Sequence, residues 1–232
     1  MYPPPPNPIR PVRGVAVFAL TMLAVDTLVG VAAAGVDLWM ASLMDQVAAD
    51  PDAVSEAQLN SADLIYSGSG WTEVAAYLIT IAAFLIWQFR VRDNAEEFSP
   101  VPHRRSRRWL TLGWVVPVVS LWFPKMIIDD VWTASKPGGV PDRGFAHARR
   151  SGLIWAWWLA WLCASWISNV AARLLLTGDD AEAMARAARF DVLSIGLYAV
   201  AAALAAPVIW KITAFQEARR ASWDAAPSHP VA

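Results

Sequence analysis

Apolar residues gather in four blocks, at about 14–39, 71–89, 153–176 and 192–210, with polar segments between them. A helix of about 20 apolar residues crosses the ~30 Å hydrocarbon layer of a bilayer, so each block predicts a membrane-spanning helix. A fifth block, 109–128, has the length but not the continuity, because Pro117 and Pro124 interrupt it and Gly113 weakens it. Proline inside a helix removes a hydrogen bond and clashes with the preceding turn, at a cost of about 3 kcal/mol. Near lipid, broken backbone persists only where protein or water covers it. The fold class expected is therefore all-α: a polytopic helical membrane bundle of four spans plus a proline-broken re-entrant or interfacial element. Five spans is the alternative.

The polar segments fill in the rest of the chain. Residues 1–13, with Pro3 to Pro6, Pro8 and Pro11, predict a polyproline-like cytoplasmic tail. The first helix is expected to run on to about Val47. Asp50 and Pro51 then predict the start of a short helix reaching about Tyr66 and closed by Ser67-Gly68-Ser69-Gly70. The second span's helix is expected to reach Glu97 and to stop at Ser99-Pro100-Val101-Pro102. Between the last two spans, 181–189 predicts a short exposed helix with Asp179 and Asp180 at its start. The transmembrane domain thus covers 14–215, and 216–232 form a cytoplasmic tail. The apolar stretch from Val15 to Ala34 exceeds the roughly 7–15 residues of a signal-peptide core, so an uncleaved first span is expected.

Charge then orients the helices. No lysine or arginine occurs between Gly14 and Phe89, whereas Asp26, Asp37, Asp45, Asp50, Asp52, Glu56, Asp63 and Glu73 all do. Cytoplasmic segments of membrane proteins retain arginine and lysine, and exported loops lack them. With four spans and both termini inside, sixteen of the 19 basic residues are cytoplasmic and only Arg173, Arg186 and Arg189 are exported. A full fifth crossing would leave eleven inside and eight outside, so the four-span topology is favoured, in the plasma membrane. A net charge of −1 implies no nucleic-acid partner.

Few residues carry candidate chemistry. Asp26 lies mid-span, where an ionised carboxylate costs roughly 2.5–3.5 kcal/mol; it is a candidate proton or ion site, with Ser165, Ser168 and Asn169 as candidate partners or as interhelical glue. Arg90 and Arg92 are expected to snorkel to headgroups. Arg104, Arg105, Arg107 and Arg108 are candidates for anionic headgroups, at about 1 kcal/mol each. Asp129 and Asp130 are expected on a solvated helix face, Cys163 packed inside, and Trp161 and Trp166 packed more deeply than Trp155, Trp157 and Trp158. His103, His147 and His229 show no ligand spacing, so neither metal nor cofactor is expected. No nucleophile elbow, phosphate-cradling loop or zinc-binding helix is present, so an enzyme is not expected.

One set of residues carries a resemblance. Trp87, Arg90 and Asn94 form a W-x-x-R-x-x-x-N run; Trp114 to Pro117, Leu121 to Pro124, and Trp132 before Ser135 follow it. In these residues the chain resembles the DUF4328 family, an actinobacterial family of unknown function. Ser120 departs from the asparagine usual at that turn. The resemblance implies the membrane architecture and no reaction. Arg90 and Asn94 lie one helical turn apart on one face. Asn94 is expected to bond carbonyls freed by Pro117 or Pro124, with that face packed on the broken element. Function is then expected to lie in lipid or protein interactions, with a membrane-protein partner or a second copy of the chain. A small transporter or channel using Asp26 is the alternative.

Overall fold

The computed structural model describes residues 9–99, 101–178 and 180–224, and among them there are helices and no strand. Most of the proline-rich tail, Pro100, Asp179 and the end of the carboxyl tail with His229 lie outside the described residues. Six α-helices follow in order: α1 Arg13–Ala49, α2 Glu56–Phe98, α3 Trp109–Val115, α4 Phe123–Ser135, α5 Gly152–Thr177 and α6 Ala181–Asp224. The long ones, α1, α2, α5 and α6, are long and apolar enough to cross a membrane.

Two helix starts follow from capping chemistry. Ser55 and Gln58 form a reciprocal box at the head of α2: Ser55 N donates to Gln58 Oε1 at 3.0 Å, and Gln58 N donates to Ser55 Oγ at 3.3 Å. Asp180 caps α6 by accepting from Ala183 N at 2.6 Å. The expected Asp50 cap also forms, accepting from Asp52 N at 3.1 Å, but it starts only a 3₁₀ turn, Pro51–Ala53.

Two expected boundaries are absent. α2 runs unbroken through Ser67 to Gly70, so the short outer helix and the second span are one helix of 43 residues. Glycine inside a helix costs only about 1 kcal/mol against alanine, and Thr72 Oγ1 caps the Gly68 carbonyl at 2.8 Å. Likewise 181–189 is not a separate exposed helix but the first turns of α6, with Ala185 and Ala188 buried.

The chain divides into two compact units, each drawing on all four long helices. The unit made of Thr21–Ile81 and Ala156–Leu204 packs α1 antiparallel to α2. Thr80 Oγ1 donates to the Met22 carbonyl at 3.0 Å, and Met40, Ala41 and Met44 meet Ala62. Ala185 and Ala188 of α6 complete that cluster, and the small side chains allow close backbone approach.

The other unit holds the residues up to Leu20, Ala82–Trp155 and those from Ala205 on. In it the ends of α2 and α6 run parallel, Trp87 facing Thr213 and Val91 facing Gln216. The helix pair α3–α4 turns back on itself at Pro117 to Trp122, within the same unit. The start of the chain lies against α6, where Val12 N and Arg13 N donate to Glu217 Oε1 at 2.7 and 3.0 Å.

Candidate functional site

The W-x-x-R-x-x-x-N run forms a clasp. Trp87 Nε1 donates to Thr213 Oγ1 at 3.2 Å, and Arg90 Nη1 to the Pro11 carbonyl at 3.3 Å. Asn94 accepts from Arg10 N at 3.0 Å and donates to the Arg10 carbonyl at 2.8 Å and to Gln216 Oε1 at 3.1 Å. Gln216, 0% exposed, in turn donates to the Val91 carbonyl at 2.8 Å and to Ser135 Oγ at 2.9 Å. One buried glutamine therefore ties together α2, α4 and α6. Trp132 packs edge-on to Phe215 at 5.4 Å beside it. The expectation that Asn94 serves the prolines is thus corrected: its amide is taken up by the amino-terminal segment and by Gln216.

The broken element satisfies its own backbone instead. Val116 N, Ser120 N, Leu121 N, Trp122 N and Met126 N each donate to a carbonyl three or four residues earlier. Val119 N donates to the Pro117 carbonyl at 2.7 Å across Val118, which sits at φ 66°, ψ −51°. That is a γ-turn of the strained hand, rare for any residue and costlier for a β-branched one. Pro124 is buried in the first turn of α4, where a missing N–H matters least. The contact between α2 and α3 comes from another face: Trp114 Nε1 donates to Gln88 Oε1 at 3.2 Å, and its ring meets Phe84 edge-on at 5.6 Å.

The arginines beyond the clasp turn inward more than expected. Arg104 lies on Asp130: its backbone N donates to Oδ2 at 3.0 Å, and its Nε and Nη2 lie 2.7 and 2.6 Å from Oδ1. Asp130 is 0% exposed, and burial holds its pKa above the ordinary carboxylate value despite Arg104. Asp129 is buried too, 2.6 Å from Lys125 Nζ, which also sits 3.8 Å over the Trp155 ring. A solvated face for this acid pair is therefore ruled out.

Arg92 does not snorkel. It is 3% exposed, with Nε 2.8 Å from Glu96 Oε1 and Nη2 donating to the Arg105 carbonyl at 2.8 Å. Arg105 stacks its guanidinium 3.8 Å over Phe123, and Arg107 bridges Asp93 and Glu96. Arg108 is exposed.

These groups border an open cavity of about 450 Å³, lined among others by Arg92, Glu96, His103, Arg105 and Arg107. His103 stacks on Phe145 at 4.7 Å. Burial, then the Arg92 charge, lower its pKa to about 4, against weaker upward pulls from the Ala95 carbonyl and Glu96. Arg92 Nη1, Arg105 Nε and both ring nitrogens of His103 are buried without a hydrogen-bond partner of good geometry among the described residues.

The other unit holds Asp26, Asp37, Glu73 and Asp191. Asp26 is half-buried. Asp37 is 4% exposed, and its Oδ2 has no partner among the described residues. Asp191 lies near Asp37, and Asp191, Asp37 and Asp26 lie near Glu73. Ser165 and Asn169 bond within their own helix, to the Trp161 and Ser165 carbonyls at 2.8 and 2.7 Å, and Tyr198 donates to Ser165 Oγ at 3.3 Å. Cys163 and Trp166 face outward rather than into packing, while Trp161 stacks on Trp158 at 4.9 Å. Among the described residues no group of His, Cys, Asp or Glu converges as a metal site.

Sequence reasoning singled out Trp87, Arg90 and Asn94, and noted Ser135 only after Trp132, but missed Gln88, Gln216 and Glu217. The signal for the last two was present: Thr213, Gln216, Glu217 and Arg220 recur every three or four residues past the last span, a polar face where a plain tail was expected.

Four long apolar helices mark a helical membrane protein. Residues 50–214 match the model of DUF4328, a domain of unknown function, and the chain belongs to that family. Comparison with curated proteins finds no match. Comparison with solved structures finds none either.

Proposed function

We propose that the chain is a non-enzymatic plasma-membrane protein that works by assembly with lipid and with other membrane proteins or copies of itself. Both termini are cytoplasmic in this reading, and α3–α4 is a re-entrant hairpin. The observation that carries it is the way polar groups next to the spans bind one another: Gln216 with Asn94, Ser135 and Val91, and Arg104 with Asp130. Groups consumed in this way hold a surface in shape rather than act on a substrate. The contact of Val12 and Arg13 with Glu217 supports termini on one side. Exposure of Val115 and Val118, 73% and 65%, supports a hairpin tip that meets lipid.

A second reading, proton or cation passage, is favoured by the acids around Asp37 and its unpartnered oxygen. The two readings separate in one experiment. Proteoliposomes carrying the wild-type chain or Asp26→Asn are loaded with a pH-sensitive dye, and cross-linking in native membranes follows assembly. The assembly reading expects a cross-linked species of fixed size in both variants and no protein-dependent flux. Flux that Asp26→Asn abolishes would replace it with transport.

A further inference from the structure

We infer that the cavity beside the end of α2 is a phosphate-monoester site, built by Arg92, Arg105 and Arg107 with His103 at its wall. Three guanidinium groups face it, against Glu96 in its wall and Asp93 behind Arg107, which leaves a net positive charge. A net positive charge suits an anion. Guanidinium groups match phosphate oxygens in geometry and keep their charge at any physiological pH.

The second observation is the set of unsatisfied donors. Arg92 is almost wholly buried, yet its Nη1 has no partner among the described residues, and neither has Arg105 Nε. A buried charged donor left unmade is costly, so a native structure is expected to supply an acceptor. Glu96 already takes Arg92 Nε at 2.8 Å, and the Arg105 carbonyl takes Nη2 at 2.8 Å. Arg92 Nη1 and Arg105 Nε are both closed to solvent in this structure, so an incoming phosphate oxygen takes up their N–H groups only as the guanidinium groups turn toward the cavity. At about 450 Å³ the cavity is of ligand size. Phe123 under Arg105 and the Arg107 bridge to Asp93 hold two of the three guanidinium groups in place before anything binds.

Phosphate of this kind has two sources, a phosphatidic acid headgroup or a soluble monoester. The inference deepens the lipid part of the proposed function but rests on that reading only for the source, not for the site. Assembly is read by cross-linking and the site by direct binding, so either can fail alone.

The test uses the full chain in phosphatidylcholine nanodiscs. Glycerol 3-phosphate and inorganic phosphate are titrated by calorimetry, and phosphatidic acid is added to the discs and followed by native mass spectrometry. One phosphate per chain is expected. Arg105→Gln and Arg107→Gln should each weaken binding about tenfold or more, and Arg143→Gln, an exposed arginine outside the cavity, should leave it within about twofold. Arg107 lies at the exposed rim, so its variant keeps the test valid if Arg105→Gln fails to fold. Binding of phosphatidic acid that soluble phosphate does not displace identifies the lipid; binding of the soluble probes identifies a free monoester. Equal loss in Arg143→Gln, no loss in Arg105→Gln and Arg107→Gln, or no binding of any probe would overturn the site.

Discussion

Asn94 shows what a single side chain does in this protein. Its amide has partners 84 and 122 residues away in the chain, Arg10 and Gln216. Replacing it with alanine leaves the Arg10 amide and one side of Gln216 unmade, which costs about 1–3 kcal/mol. Thermal unfolding in detergent should show Asn94→Ala well below wild type, and Asn169→Ala, whose bond is local to α5, close to it. A sequence shows that Trp87, Arg90 and Asn94 share a helix face; it does not show which distant element meets that face. The prolines nearby in sequence attracted the assignment, whereas the broken backbone had already closed its own bonds.

His103 makes a second prediction at this scale. Its pKa falls from about 6.5 free to about 4 in the fold. Between those values the unfolded chain binds the extra proton, so stability is fully present above about 6.5 and is lost as pH falls towards about 4. His103→Phe, which keeps the stack on Phe145, should flatten the dependence of the unfolding midpoint on pH across that window. An unchanged slope would place the acid sensitivity elsewhere.

Among the elements, the broken one is the most informative. Val118 is held at positive φ by the Pro117 to Val119 hydrogen bond. Such strain costs of order 1–3 kcal/mol for a side chain that disfavours it. Glycine relieves it, so Val118→Gly should raise the unfolding midpoint, against the usual cost of glycine of about 0.5–1 kcal/mol. Val118→Pro cannot adopt this φ and should prevent folding. If both variants behave as wild type, the turn is not strained.

The four long helices were legible because apolar length alone specifies them. The joins were not. Ser67 to Gly70 reads as a stop, but a helix already fixed on both sides carries through two glycines at modest cost. Residues 181–189 read as exposed because their alanines are small. Their burial comes from Met40, Met44 and Ala62 packing over them, and no local pattern reports that contact.

At the scale of the molecule, the clasp brings the start of α1 and the end of α6 together at Glu217. It also keeps α3–α4 in the unit that holds both ends. The proposed topology, with both termini on one side, rests on charge counting over the whole chain.

Because Cys163 is the only cysteine, Cys163→Ser provides a background for labelling single introduced thiols. The decisive measurement places one cysteine at Asp52, between α1 and α2, or at Asp142, between α4 and α5, and treats intact cells with a membrane-impermeant maleimide. Four spans with a returning hairpin predict that Asp52→Cys labels in intact cells and Asp142→Cys only after lysis. Labelling of Asp142→Cys in intact cells would mean that 109–128 crosses the bilayer, and would contradict the account.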